Sequence, residues 1–200
     1  MDKIFLLGIM NKLLVRQVKS YLDALGADSI KEAYDPESLL RSARSLNPAL
    51  IVMDPGSFGA AGLQAAKVLV RERIAPVVFV LSPSCSFSSA IEELIYKEDY
   101  ASTYLVTPLL DTNFRIAINT TLANFQKLGE LKKKVDGLAE ELGNRKILNK
   151  AKRLIMEDRN FSENEAHHYL QRLSMNRSEP LVLIAKKVIG YYKKQLESGK

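Results

Sequence analysis

Residues 49–73 read ALIVMDPGSFGAAGLQAAKVLVRER, which is an apolar run, a turn containing Gly and Pro, and a helical pattern. The run from Ala49 to Met53 has no polar residue before Asp54. Such runs are typical of strands that are buried on both faces of a sheet. The segment therefore predicts a strand–turn–helix unit with Asp54 at the carboxyl end of the strand.

The same alternation extends on both sides of this segment. Apolar runs lie at residues 3–7, 29–33, 49–53, 76–82 and 101–106. A helical pattern follows each run, and parallel strands need such helical crossovers. We therefore predict an α/β fold for residues 1–122, with a doubly wound parallel sheet of five strands. Functional residues of such sheets gather at the carboxyl ends of the strands, which here carry Gly8, Ile9, Asp54, Ser82 and Thr107.

A long helix is predicted for residues 111–143. Its apolar residues follow a 3, 4, 3, 4 spacing, which is an a/d seam of about two heptads. The seam consists of Leu128, Leu131, Val135, Leu138 and Leu142. It predicts a parallel coiled-coil dimer, and the alternative is that the stripe packs on the chain's own N-terminal domain or C-terminal helices. Gly129, Gly137 and Gly143 oppose the helix, since each costs about 1 kcal/mol relative to alanine.

Residues 144–196 are predicted to form three short amphipathic helices that pack as a small bundle. Ser162 and Glu165 make the S-x-x-E pattern of a capping box, which starts the second helix. Residues 144–200 carry 13 Lys and Arg against 6 Asp and Glu, whereas residues 1–143 carry 16 against 17. A basic module beside a neutral domain is typical of nucleic-acid binding. A solvated, lysine-rich domain without a partner is the alternative.

Composition excludes several classes of protein. No run approaches the roughly 18 apolar residues that a membrane span needs. The sequence opens directly on a strand pattern, so we expect no signal peptide. Cys85 is the single cysteine of the 200 residues, which excludes an intrachain disulfide and indicates a reducing compartment. The expected location is the cytoplasm.

Residues 2–122 resemble a response-regulator receiver domain. Asp54 precedes Gly62-Leu63 by eight residues, the spacing between a receiver's phospho-acceptor aspartate and its D-G-L turn. Ser82 stands where receivers keep Ser or Thr. Tyr104 has the place of the aromatic switch residue, and Thr107 stands where the usual Lys of a Lys-Pro pair would be.

The departures from the receiver pattern concern its phosphate chemistry. Receivers place two acidic residues after the first strand to hold magnesium, and this chain has Gly8-Ile9 there. The acidic residue before the conserved Gly is Ala61, and the phosphate-contacting Lys is Thr107. Mg²⁺ needs carboxylate and phosphate oxygens, and phosphoryl transfer depends on charge neutralisation. We expect a degenerate receiver, in which Asp54 is either a vestigial acceptor or a carboxylate bonded to the following turn.

Residues 144–196 resemble an ANTAR domain, the RNA-binding module of transcription antiterminators. The matching positions are Ala151-Lys152, Ile155-Met156, Ser162 to Ala166, Leu170, Ser174-Met175 and the apolar residues from Leu181 to Ile189. Asn176-Arg177 follows the methionine as the family's polar-basic pair does, and Arg153 replaces the usual glycine. The order of receiver, coiled coil and ANTAR domain is itself typical of the family.

This resemblance implies a dimer that binds hairpins in nascent leader RNA and keeps a terminator stem from forming. Lys and Arg side chains contact phosphates, and side chains that reach unstacked bases read RNA loops. The RNA-binding candidates are Lys152, Arg153, Arg172, Asn176, Arg177 and Lys186, with Lys187 and Tyr191 as second choices. Loss of the phosphate site implies control of the receiver by a regulatory protein partner.

The sequence predicts no enzyme, cofactor or metal site. His167 and His168 are adjacent on a helix and have no acidic or cysteine cluster beside them. The aromatic residues are scattered, and we expect no stacking platform from them. Three other functions stay open: a phosphorylation-dependent response regulator that uses Asp54, a DNA-binding regulator, and a scaffold that binds no nucleic acid.

Overall fold

The computed structural model describes residues 3–98 and 101–198. The chain divides into two compact units, with the boundary between Glu130 and Leu131. Each unit has its own hydrophobic core. In the described part of the chain, no helix combines the length and the apolar character that crossing a bilayer requires.

The first unit alternates strands and helices as predicted. The elements are β1 (Ile4–Gly8), α1 (Lys12–Ala24), β2 (Ser29–Glu32), α2 (Pro36–Leu46), β3 (Leu50–Met53), a 3-10 turn (Pro55–Phe58), α3 (Gly59–Glu72), β4 (Val77–Leu81), α4 (Ser88–Glu98), β5 (Thr103–Val106) and the start of α5 (Asp111–Arg159). All neighbouring strands are parallel, in the order β2-β1-β3-β4-β5. The predicted doubly wound sheet of five strands is confirmed.

Alternating residues of the central strands face opposite sides of the sheet, because successive side chains of a strand point in opposite directions. On one side, Ile51, Met53 and Phe79 are packed in a cluster with residues of α2, α3 and α4. On the other side, Val52 and Val80 are packed with residues of α1 and α5. Burial on both faces explains why β3 and β4 carry no polar residue.

Two helices of this unit begin at residues whose side chains cap them. The Asn11 side chain accepts hydrogen bonds from the backbone N–H groups of Leu13 and Leu14 at the start of α1. Asp35 accepts one from the N–H of Ser38, at 2.8 Å, with Pro36 at the first helical position. These caps satisfy donors that a helix leaves free at its first turn, and they fix where each helix begins.

The second unit contains the end of α5 together with α6 (Glu163–Arg177) and α7 (Leu181–Ser198). Its fully packed core residues come from all three helices. They are Ala151, Ile155, Ala166, Leu170, Ile184 and Ala185. The capping box is confirmed: the Ser162 side chain accepts from the Glu165 N–H, and the Glu165 carboxylate accepts from the Ser162 N–H at 2.8 Å.

One boundary differs from the sequence prediction. The expected first helix of the bundle is not separate, because α5 is a single helix of 49 residues that continues through residue 144. Gly143 does not break the helix at this point. The glycine costs only about 1 kcal/mol, and burial of Ala151 and Ile155 against α6 and α7 offsets that cost.

The close packing of α3 on the turn after β3 is testable at Gly62. A Cβ at this position would lie 2.2 Å from the carbonyl oxygen of Pro55, so the turn would have to shift. We expect Gly62→Ala to lower the free energy of unfolding by about 1–3 kcal/mol, as overpacking does, measured as a lower urea midpoint.

Gly129→Ala is the matched control for Gly62→Ala. A Cβ at Gly129, inside α5, would have nothing within 4 Å, so this variant should gain up to about 1 kcal/mol from helix propensity. If the two variants had the same urea midpoint, the close packing at Gly62 would not affect the stability of the protein.

Candidate functional site

Asp54 lies at the carboxyl end of β3 and is half-buried. Its Oδ1 accepts a hydrogen bond from the backbone N–H of Gly56 at 2.9 Å. Its Oδ2 accepts one from the hydroxyl of Ser57 at 2.6 Å. Both carboxylate oxygens are therefore bound by the turn that follows the strand, as expected for a carboxylate that caps its own turn.

The end of β1 supplies no acidic side chain to this edge of the sheet. Gly8 is packed so closely that a Cβ there would lie 2.8 Å from Leu39 Cδ2. Ile9 is buried in the core on the other side of the sheet. Across residues 3–98 and 101–198, no group of three His, Cys, Asp or Glu side chains could hold a metal ion.

A cavity of about 320 Å³ opens beside Asp54. Its lining residues are Asp54, Gly56, Ser57, Ser82, Ser84, Cys85, Ser86 and Phe87. The structure thus brings Asp54 and Ser82 together, as the sequence predicts. The lining is rich in hydroxyl groups, which can donate hydrogen bonds to an oxygen-rich ligand.

Tyr104 and Thr107 are not among the described residues that line this cavity. The Tyr104 hydroxyl donates to Glu92 Oε1 at 2.7 Å, and this hydrogen bond raises the pKa of Tyr104. The backbone N–H of Thr107 donates to the carbonyl of Leu81 at 2.9 Å. In this conformation, Tyr104 is therefore bonded to α4, and the backbone of Thr107 is bonded to the end of β4.

The second unit presents most of the predicted RNA-binding side chains to solvent. The exposed candidates are Arg153, Arg172, Asn176, Arg177, Lys186, Lys187 and Tyr191. Lys187 forms an ion pair with Glu179, and Lys187 Nζ lies 2.6 Å from both carboxylate oxygens of Glu179. Exposed cations such as these can bind a phosphate group, because no buried ion pair has to be broken first.

Lys152 is placed differently from the other candidates. Its side chain is only 15% exposed, and its Nζ lies 2.5 Å from Glu163 Oε1. The hydrogen bond from Lys152 lowers the pKa of the Glu163 carboxyl. The pair joins α5 to the first turn of α6, so Lys152 holds two helices together in this structure.

A second cavity, of about 310 Å³, lies between the three helices of this unit. We call it the three-helix cavity. Its lining residues are Ile155 and Arg159 from α5, Tyr169, Leu173 and Arg177 from α6, and Ile184, Lys187, Val188, Tyr191 and Tyr192 from α7. The sequence suggests scattered aromatic residues, but the fold brings Tyr169, Tyr191 and Tyr192 to one cavity.

The aromatic walls of the three-helix cavity are held by specific contacts. The guanidinium carbon of Arg159 lies 4.5 Å from the centre of the Tyr169 ring, a cation–π geometry. Tyr191 and Tyr192 make an edge contact, with ring centres 5.5 Å apart. The Tyr192 hydroxyl donates to Asp158 Oδ2 at 2.7 Å. Burial, together with this hydrogen bond, raises the pKa of Tyr192 to about 12.

Comparison with known proteins identifies both units. A family model described as ANTAR domain matches residues 136–189. The transcriptional regulatory protein PdtaR of Mycobacterium tuberculosis is 27% identical over 164 residues, covering 82% of this chain and 78% of that protein. The signal receiver domain of a modulated diguanylate cyclase from Desulfovibrio desulfuricans G20 superposes with a TM-score of 0.53 at 19% identity, covering 63% of this chain and 98% of that domain.

Residues 136–189 therefore match the ANTAR family, and the first unit has the fold of receiver domains. Part of the chain is also similar to the aliphatic amidase regulator of Pseudomonas aeruginosa, at 37% identity over 65 residues, or 32% of this chain and 33% of that protein. The ANTAR match begins at Asp136, inside the predicted linker 111–143. It therefore includes part of the exposed helix as well as the three-helix core.

The predicted dimer seam is largely exposed in the single chain. Leu128 is half-buried. The other four residues are between 56% and 62% exposed: Leu131, Val135, Leu138 and Leu142. The stripe is thus available to another molecule, and its packing on the chain's own core is not seen for these four residues.

Sequence reasoning missed Arg159, Tyr169 and Tyr192 as members of a site. The signal that could have found them is helical spacing. On α6 the lining residues Tyr169, Leu173 and Arg177 are four apart, which places them on one face. His168 Nδ1 lies 3.1 Å from Gln171 Oε1, on the same helix.

Proposed function

We propose that this protein is a response regulator that acts in transcription antitermination, and that its ANTAR domain binds hairpins in nascent leader RNA. The observation that carries the proposal is the set of exposed cations on the segment that the ANTAR family matches. Both relatives are named as regulators, PdtaR as a transcriptional one. Acting on nascent transcripts requires access to RNA polymerase, so the proposed location is the cytoplasm.

Charge supports RNA rather than a neutral ligand. Arg153, Arg172, Arg177 and Lys186 are exposed on the helices of the ANTAR domain. Each cation that neutralises a phosphate releases condensed counterions, and this release supplies much of the affinity for nucleic acids. Lys152 is excluded from the primary contacts because it is paired with Glu163.

The seam supports a dimer as the working form. Four apolar residues in a row of 4, 3 and 4 spacing, exposed on one helix, match the interface of a coiled coil. A monomer would leave this stripe in water. Pairing with a second copy removes apolar surface from water, which stabilises the pair. Two ANTAR domains in one dimer can hold two hairpins.

We further propose that the receiver acts through a protein partner and not through phosphorylation. Asp54 is already bonded through both oxygens to Gly56 and Ser57. The positions of the usual acidic pair are Gly8 and Ile9, and Thr107 stands in the place of the usual lysine. A phosphoryl group on Asp54 would therefore lack both the cation and the lysine that neutralise it.

RNA binding is tested with hairpins selected from a random RNA pool. We expect Arg172→Glu/Lys186→Glu to weaken binding of the winners on the order of 100-fold, because each hydrogen bond to a charged group is worth roughly tenfold or more. The dependence of log affinity on log salt should become shallower by about 0.7 for each phosphate that is no longer neutralised. Both are measured by fluorescence anisotropy at several salt concentrations.

Lys31→Glu/Arg41→Glu is the control for that experiment. Both residues are exposed in the receiver fold, and the variant changes net charge by the same amount. Equal losses of affinity in the two double variants would mean that RNA binding depends only on the overall charge of the protein. Equal competition by duplex DNA would favour a DNA-binding regulator, and no binding by the wild type would favour a scaffold.

The dimer is tested by charging the seam. Leu131→Lys/Leu138→Lys places two cations at facing positions of the proposed pair, where they repel each other and replace apolar packing. We expect sedimentation equilibrium to shift from dimer to monomer. The control, Leu13→Lys/Tyr34→Lys, charges residues that are 76% and 64% exposed elsewhere and should stay dimeric. A dimer that survives the seam variant would place the interface elsewhere.

Phosphorylation is tested with a small acyl-phosphate donor and Mg²⁺. After treatment with the donor, we expect mass spectrometry to show no stable added phosphate on the wild type or on the Asp54→Asn variant. The reason is that no cation neutralises a phosphoryl group on Asp54. Thermal stability should not change with Mg²⁺. A phosphate on the wild type alone, with stronger dimerisation, would instead support the phosphorylation-dependent regulator.

A further inference from the structure

We propose that the three-helix cavity binds one unpaired nucleobase with its phosphate, presented by the loop of an RNA hairpin. The inference rests on the proposed RNA-binding function and adds the place where a loop base is held. The cavity volume of about 310 Å³ lies at the low end of the roughly 300–1,000 Å³ of small-ligand sites. It suits a single base and is too small for a helix or a folded peptide.

The floor of the cavity is apolar. Ile155 and Ile184 are buried in the core of the domain, and Leu173 and Val188 pack against that core. A flat base that enters the cavity would cover this apolar surface with its ring. The floor is part of the folded core, so it exists before any ligand arrives.

The aromatic rim supplies stacking surface. Tyr191 is 59% exposed although it lines the cavity. Its hydroxyl accepts a hydrogen bond from the Gln195 side chain at 2.8 Å, and Tyr192 supports its ring from the side. RNA loops are recognised by unstacked bases that stack on aromatic side chains and on Arg guanidinium planes. Tyr191 and the Arg159–Tyr169 pair offer both kinds of surface.

The charges around the cavity favour an anionic ligand. Arg159, Arg177 and Lys187 line it, while Glu179 binds Lys187 and Asp158 lies 3.8 Å from Arg159. Three cations against two carboxylates leave an excess of one positive charge. Within the described part of the chain, the guanidinium group of Arg177 makes no hydrogen bond or ion pair. It is therefore the candidate for binding the phosphate of the nucleotide.

Tyr192 also lines the cavity. Its hydroxyl donates a hydrogen bond to Asp158, so this ring is held in place. A cationic ligand would meet three cations, and an acidic metabolite without a ring would leave the aromatic surface unused. A nucleotide uses both the rings and the excess positive charge.

The test measures binding of the full chain to selected hairpins. We expect Tyr191→Ala to weaken binding about tenfold, the scale of removing one base stack, and Tyr191→Phe to bind like the wild type because the ring remains. The salt dependence should be unchanged in Tyr191→Ala, since no charge is removed, and shallower by about 0.7 in Arg177→Gln. Tyr34→Ala, which removes a tyrosine 64% exposed in the receiver fold, is the control.

Abasic substitution of the loop, one position at a time, locates the base. One abasic position should weaken binding to the wild type and have no effect on Tyr191→Ala, because the two changes remove the same interaction. The chain has no Trp, so Tyr191→Trp gives a single tryptophan, which can be excited selectively at wavelengths that tyrosine does not absorb. Its emission should be quenched by the intact hairpin and not by the hairpin that is abasic at that position.

Three results would overturn the inference, each in a distinguishable way. If Tyr191→Ala bound the hairpin with unchanged affinity, the cavity would take no part in RNA binding. The proposed function would not be affected by that result. Quenching of Tyr191→Trp by free AMP, GMP, CMP or UMP, with hairpin affinity unaffected by Tyr191→Ala, would make the ligand a free nucleotide. Failure of the wild type to bind any hairpin would overturn the proposed function together with the inference.

Discussion

The packing of one helix, α5, into two different cores is the constraint on which the rest of the structure depends. Phe114 and Ile118 are buried with the sheet of the receiver fold, and Ala151 and Ile155 are buried with α6 and α7. Between these stretches, the helix carries the exposed apolar stripe. Each part of the helix therefore has a different neighbour: its own sheet, a proposed second copy, and the ANTAR helices.

Asp54, at the carboxyl end of β3, shows how a carboxylate can serve the local fold. In this chain the carboxylate caps its own turn through Gly56 and Ser57. The hydrogen bonds contribute to the shape of the loop that α3 packs on. A residue that serves the fold in this way can persist without phosphate chemistry, which is why its presence alone does not indicate phosphorylation.

Much of the fold could be predicted from local patterns. The apolar runs of β3 and β4 and the capping box at Ser162 are local signals, and each is seen in the structure. The linker helix and the first helix of the bundle, predicted as separate segments, form one continuous helix, because the packing of distant helices outweighs the cost of one glycine. Lys152 is largely buried, and the three tyrosines come together, because of contacts between different helices. The spacing of residues along a single helix does not predict such contacts.

The ion pair between Lys152 and Glu163 changes how mutagenesis of the ANTAR domain should be interpreted. Lys152 belongs to the Ala-Lys pair of the motif, so a loss-of-function screen would score it as a residue that contacts RNA. Its replacement by Glu would place two carboxylates together between α5 and α6, and its replacement by Ala would leave Glu163 without its partner. In both cases, a defect could come from separation of the helices. Restored activity in a charge-swapped pair, with Glu at 152 and Lys at 163, would then mark the position as architectural.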